Sequence, residues 1–306
     1  MLIPADDAMG ISSALFHHDL YSVREPDRMH IFSGSVMNQM NMPFHVRVQL
    51  TLRNGIRYIP LLQNLVSREL KKKYRQSLLG YAWCVLNPLL VMVIMNVVFS
   101  HMFRNDIQNY PVYLFAGRMM FSFVTDAAGN VMRSIVSNGA LMRKTRIPYY
   151  IFPLATFGSS VVNFLFHLIA FAIVLIFTGT AISYHIAAFP LVCLEMFVFS
   201  LGFGFILAVA YIYIRDTNYI YAVFTTAWTY LTPLFYPIKA LPEWVRTAVS
   251  HLNPAFYYVD MSRSIFLYNQ WPSGSMLLRG GLVGIVFLVI GLIAYDRAKK
   301  QMILYV

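Results

Sequence analysis

Six long apolar stretches interrupt an otherwise mixed chain, at roughly 81–103, 110–132, 148–178, 186–214, 218–237 and 279–296. A helix needs about 20 mostly apolar residues to cross the hydrocarbon core of a bilayer. Backbone groups inside lipid must also be satisfied within the segment itself, which selects helices. The pattern therefore predicts an all-α integral membrane fold with six transmembrane helices. An even number of crossings puts both termini on one side. Arg53, Arg57, Arg68, Lys71, Lys72, Lys73 and Arg75 precede span one, and Arg143, Lys144 and Arg146 separate spans two and three. Arg215 follows span four, and Arg297, Lys299 and Lys300 follow span six. The other side carries only Arg104, Lys239, Arg246, Arg263 and Arg279. Lys and Arg collect in short cytoplasmic flanks, so both ends are expected in the cytoplasm.

Two regions depart from this simple alternation. Upstream of span one, Leu61, Leu62, Leu65, Val66 and Leu70 recur at helical spacing behind Pro60 and run into Lys71-Lys72-Lys73-Tyr74-Arg75. An apolar stripe with a basic end lies flat on a membrane surface. Residues 51–79 thus form an amphipathic interface helix. It serves as a topology anchor, and its Arg68, Lys71, Lys72, Lys73 and Arg75 suit a doubly charged lipid headgroup. Between spans five and six, some fifty residues are aromatic and punctuated by proline, from Tyr236-Pro237 through Leu241-Pro242-Glu243-Trp244 and Asn253-Pro254 to Trp271-Pro272. Two short helices are expected here. One starts at Pro242, and the other starts at Pro254 with Asn253 as its N-cap. Together they fold back into the outer membrane as re-entrant helices. Tyr236, Trp244, Asn253, Pro254, Tyr257, Tyr258 and Trp271 are the candidate residues of a channel and its outer closure, with Trp244, Tyr257 and Tyr258 largely buried. Each ring also suits a plain interfacial anchor.

Composition agrees with the pattern. The chain has 306 residues, 58% hydrophobic and 12% charged, with 16% aromatic and a mean hydropathy of +0.58. The net charge of +11 is concentrated beside apolar spans, which fits bilayer orientation and excludes a nucleic-acid face. Cys84 and Cys193 both fall inside spans and read as small buried hydrophobes. No metal site is expected. Residues 1–50 show no periodicity and read as a poorly ordered cytoplasmic tail, leaving 80–306 as the transmembrane domain. Arg118 and Asp126 in span two and Glu195 in span four are charges at membrane depth. Such ions are costly unless paired or wetted. They mark an ion pair between helices, the edge of a polar path, or span ends that lie elsewhere than the apolar runs suggest.

Several of these segments carry a family resemblance. Leu79-Gly80-Tyr81-Ala82-Trp83 with Leu86-Asn87-Pro88-Leu89-Leu90, the run from Leu141 to Ala155, Arg215-Asp216-Thr217-Asn218-Tyr219, and Asn253-Pro254 through Trp271-Pro272 occur in order. Over residues 52–306 the chain resembles the permease subunit of ABC-2 type exporters of polysaccharide, teichoic acid or O-antigen. The resemblance implies a homodimer of six-helix permeases with two copies of a separate ABC ATPase. It also implies a polyprenyl diphosphate-linked glycan as cargo and a place in the bacterial inner membrane. It assigns Leu141, Met142, Arg143, Lys144, Thr145 and Arg146 to a short coupling helix against the ATPase. No G-x-x-x-x-G-K-[ST] loop is present, so this chain holds no cofactor, and ATP and Mg belong to the partner. The one hint of an enzyme is an H-x-x-x-x-D spacing from His101 to Asp106, a weak acyltransferase-like pattern.

Overall fold

A computed structural model describes residues 58–74, 79–103, 107, 109–144 and 147–305. The expected tail over 1–50 and the start of the interface segment lie outside the described residues, as does Asp106 of the H-x-x-x-x-D spacing. Within them the chain is helical, with no strand. Ten α-helices follow in order: α1 (Ile59–Tyr74), α2 (Trp83–Phe103), α3 (Tyr110–Ser137), α4 (Gly139–Lys144), α5 (Ile151–Phe177), α6 (Phe189–Tyr213), α7 (Thr217–Leu231), α8 (Glu243–Leu252), α9 (Pro254–Phe266) and α10 (Gly274–Tyr305).

Prolines set several of the boundaries. Pro111, Pro190 and Pro254 stand in the first turns of α3, α6 and α9, where a missing N–H costs nothing. Pro88 lies inside α2, which runs on through it. Span five was expected to reach residue 237, but α7 ends at Leu231. The residue before a proline is pushed out of the helical region, and Thr232, ahead of Pro233, is extended at ψ 127°. The apolar run continues past this point, but the helix does not.

Among the described residues, four segments are long and apolar enough to cross a membrane: Gly80–Ser100, Ile151–Phe177, Tyr184–Tyr213 and Gly274–Ala298. They match expected spans one, three, four and six. Span two is α3, which has 28 residues but carries Arg118, Asp126 and Arg133. Span five is α7, whose 15 residues rise only about 22 Å, short of a core about 30 Å thick.

The bundle is built around α3, which packs against α2, α5, α6, α7 and α9. Its apolar side is fully enclosed, with Val112, Leu114, Met120, Val124, Val131 and Met132 all at 0% exposure. Helices α6 and α10 make the most extensive contact in the chain. Gly202 and Gly291 let their backbones touch, since a Cβ on Gly202 would lie 2.3 Å from the Leu288 nitrogen. Small residues play this part between membrane helices, where lipid offers no hydrophobic drive. Phe123, Phe164 and Phe197 interlock edge-on inside the bundle.

Candidate functional site

At one end of the bundle, α1 and the α3–α4 junction share a cleft. The apolar stripe expected on α1 is present, with Leu65 buried and Leu61, Leu62, Val66 and Leu70 half-buried. It packs on α5, and Val66 lies against Gly158. The basic side of α1 faces away from that contact. Arg68, Lys71 and Lys72 line a cleft of about 1050 Å³ together with Asn64, Ser67, Tyr81, Asn138 and one carboxylate, Glu69. Arg68 Nη2 donates to both Asn138 Oδ1 and Glu69 Oε1. Asn138 is itself fixed, because its Nδ2 donates to the Ser134 carbonyl at 2.9 Å. The residue that closes α3 and opens α4 is therefore tied to the basic helix. The short helix expected after Gly139 exists as α4, with Leu141 and Met142 half-buried and Arg143 and Lys144 in its last turn. Lys73 lies on α1. Arg75, Thr145 and Arg146 lie outside the described residues.

At the opposite end, both short helices expected between spans five and six are present as α8 and α9. Asn253 caps α9 as expected, its Oδ1 accepting from the Phe256 N–H at 3.4 Å. It does more than cap. Oδ1 also accepts from Trp228 Nε1 at 2.8 Å, and Nδ2 donates to Thr232 Oγ1 at 2.9 Å. The cap thus joins α9 to the end of α7. Tyr257 and Tyr258 are buried as expected, at 3% and 0% exposure. Tyr258 OH donates to the Gly280 carbonyl, and Tyr257 OH donates to the His251 carbonyl. Trp244 differs, at 76% exposure. Helix α8 turns Val249 inward instead, and Trp244, near its first turn, faces out. Trp271 is also exposed and packs away from this group, against Tyr184 and His185 of the α5–α6 connection.

The unwound stretch 233–236 after α7 has every carbonyl occupied. Arg263, on α9, donates Nη1 to Pro233 O at 2.8 Å and Nη2 to Leu234 O at 3.0 Å. Tyr110 OH donates to Phe235 O at 2.8 Å, and Tyr113 OH donates to Tyr236 O at 2.8 Å. Tyr236 OH returns a bond to the Tyr230 carbonyl at 2.6 Å. Arg263 also donates Nε to Tyr113 O, and its guanidinium sits 3.5 Å from the Tyr113 ring centre. Backbone groups that leave a helix must find partners elsewhere, and three side chains supply them here.

Between the two ends runs a polar file on α3. Arg118, Ser122, Asp126, Asn130, Arg133 and Ser137 follow at three- and four-residue steps, and none is buried although their neighbours are. The nineteen residue steps from Arg118 to Ser137 rise about 28 Å, close to the full hydrocarbon thickness. Ser122 Oγ donates to Asp126 Oδ2 at 2.9 Å, and Arg133 donates to Asn130 and Asn218. Opposite its middle, α5 presents Ser160, Asn163 and His167. The two sets enclose a cavity of about 200 Å³ bordered by Phe123 and Phe164. Glu195 is not part of this file. It sits between α6 and α10 against Gly280 and Gly281.

Sequence reasoning flagged Arg118 and Asp126 but not their four companions, nor the α5 residues facing them. The signal was available, because Ser160, Asn163 and His167 fall at helical spacing in a very apolar helix. Arg263 was read only as a flanking charge.

The ABC-2 type transporter family profile matches residues 60–267. The chain is 29% identical over 251 residues to an O-antigen export system permease protein RfbA of Myxococcus xanthus, covering 82% of this chain and 96% of that relative. Two proteins of the same name from Klebsiella pneumoniae are 26% and 23% identical, covering 79% and 83% of this chain and 93% and 98% of theirs.

Proposed function

Because the chain belongs to the ABC-2 type transporter family, as a multi-pass membrane permease, we propose that it carries a polyprenyl diphosphate-linked polysaccharide across the bacterial inner membrane, driven by a separate ABC ATPase. Two permease copies and two ATPase copies form the working unit, with both termini cytoplasmic. Helices α3 and α7 complete six crossings: the polar file of α3 faces a wet path rather than lipid, and the segment 232–237 extends the short α7. Helices α8 and α9 are the re-entrant pair that closes the outer end, with Tyr236, Asn253, Pro254, Tyr257 and Tyr258 in that closure and Trp244 and Trp271 at its rim. Polysaccharide rather than another cargo is supported by the three O-antigen export relatives.

The observation that carries this reading is the basic cleft bridged from Arg68 to Asn138. A diphosphate is a compact dianion that Arg and Lys bind through charge-assisted hydrogen bonds. The cleft offers Arg68, Lys71 and Lys72 on one wall and the start of α4, the expected ATPase contact, on the other. Headgroup and ATPase would therefore meet at one joint. The reading is tested in cells lacking this gene. Surface polysaccharide should disappear while its lipid-linked precursor accumulates on the cytoplasmic side, and wild-type protein should restore export. The triple substitution Arg68→Ala, Lys71→Ala, Lys72→Ala should restore at most a tenth of it. An unchanged surface glycan in the deletion strain would remove the reading.

A further inference from the structure

The cavity between α3 and α5 lies midway along the polar file, between the basic cleft and the outer closure. We propose that it is a subsite holding one uncharged sugar ring of the exported polymer, an inference that rests on the polysaccharide-export reading above. Helix α5 is among the most apolar segments of the chain, with a mean hydropathy of 2.5. Ionisable side chains in such a helix are rare and mark function, and His167 shares one stripe of it with Ser160 and Asn163.

These groups meet their α3 partners at Ser160 and leave open space beside that contact. Asn130 Nδ2 donates to Ser160 Oγ at 3.1 Å, and Ser160 Oγ donates to the Thr156 carbonyl. The His167 ring Nδ1 lies 2.8 Å from the Asn163 carbonyl. Between the two stripes about 200 Å³ stays open, room for about six or seven waters at roughly 30 Å³ each. A space of that size with hydroxyl, amide, imidazole and carboxylate on its walls suits a ligand with many hydroxyls.

Its remaining walls are apolar. Phe123 and Phe164 meet edge to face at 5.1 Å and border the cavity. A pyranose has the same division, with C–H faces that rest on aromatic rings and a rim of hydroxyls that both donate and accept. Charge selects among sugars. Asp126 lines the cavity, and the cations of its own helix, Arg118 and Arg133, stand about two turns away on either side. The only titratable group facing it from α5 is His167. An acidic ring would place a second anion beside Asp126, whereas a neutral ring would give it hydroxyl donors.

The subsite is tested in the full exporter, in a background where Cys84→Ser and Cys193→Ala remove the native thiols. Cysteines placed by Ser160→Cys and Asn163→Cys are exposed to a small cationic methanethiosulfonate. Membranes come from cells making the polymer, stalled with a non-hydrolysable ATP analogue, and from cells blocked at its first sugar transfer. Both positions should react without polymer and at least tenfold more slowly with it. A control at Leu165→Cys, on the exposed apolar face of α5, should be inert in both. Equal rates with and without polymer, or no reaction at either position, overturns the proposal. Independently, Ser160→Phe should fill the cavity and cut export at least tenfold while the complex still assembles, and Leu165→Phe should export normally. Normal export by Ser160→Phe, where deletion of the gene abolishes it, removes the subsite and leaves the export reading intact. Unchanged polysaccharide in the deletion strain removes both.

Discussion

At Arg263 a full positive charge is enclosed at 3% exposure and held by three backbone carbonyls and a tyrosine face. Only a guanidinium presents donors in a fork that meets all three at once. Lysine would reach one or two and leave at least one buried carbonyl unpaired. Arg263→Lys should therefore cost about 1–3 kcal/mol, and Arg263→Ala, which unpairs all three carbonyls, about 3 kcal/mol or more. Thermal unfolding in detergent, followed by tryptophan fluorescence, should rank the wild type above Arg263→Lys and that above Arg263→Ala. A lysine variant that melts with the wild type would mean the fork is dispensable. Gly117 belongs to the same account. A Cβ there would fall 2.6 Å from Arg263 Nη2, so the guanidinium occupies space that only glycine leaves open.

Among the α-helices of the described residues, α4 is the shortest, with six residues, and it follows directly on the residue that ties α3 to the basic helix α1. Its first residue follows Asn138, which Arg68 of α1 holds, and its last turn carries Arg143 and Lys144. Replacing Arg143, Lys144 and Arg146 together with alanine should uncouple ATP hydrolysis from export, or release the ATPase, without preventing insertion, because Arg68 to Arg75 still orient the first crossing. Co-purification of the ATPase and surface-glycan staining measure the two outcomes, and full export by the triple variant would sink the assignment. The α6–α10 pair gives a second test. Gly202→Val must part helices whose backbones touch, at a cost of about 1–3 kcal/mol or more. Gly274→Val meets nothing within 4 Å and should be neutral. Folded yield by gel filtration after detergent extraction should separate the two, and equal yields would argue against close helix contact.

For the whole molecule, the closure at the α8–α9 end predicts a sharp contrast in accessibility. Trp244 and Trp271 are exposed while Tyr257 and Tyr258 are not. In intact cells or spheroplasts, cysteines at 244 and 271 should react with a membrane-impermeant thiol reagent at least tenfold faster than cysteines at 257 and 258. Uniformly fast labelling would reduce the closure to an ordinary loop. No labelling at 244 and 271 from outside, with labelling from inside, would invert the proposed orientation.

Much of this was legible in the chain because it rests on local chemistry. Apolar runs of bilayer length, prolines in first turns, an asparagine before a proline and the stripe on α1 each act within about a turn or two of themselves. They determined the helical class, four helices long and apolar enough to cross a membrane, the short helix α4 and the two short helices α8 and α9. The end of α7 was also written locally, in Pro233, but the apolar run through it masked the signal. What the sequence did not determine depends on which faces meet. Trp244 and Val249 both lie on α8, and only packing decided that valine turns inward while tryptophan stays out. Arg263 looks like one more flanking cation until α9 folds onto α3 and sets it against carbonyls 30 residues away. Ser160, Asn163 and His167 are scattered polar residues in an apolar helix until α3 brings Ser122, Asp126 and Asn130 opposite them. Contacts between residues distant in sequence carry no local periodicity, so the tertiary structure alone decided where the polar file, the basic cleft and the α8–α9 packing lie.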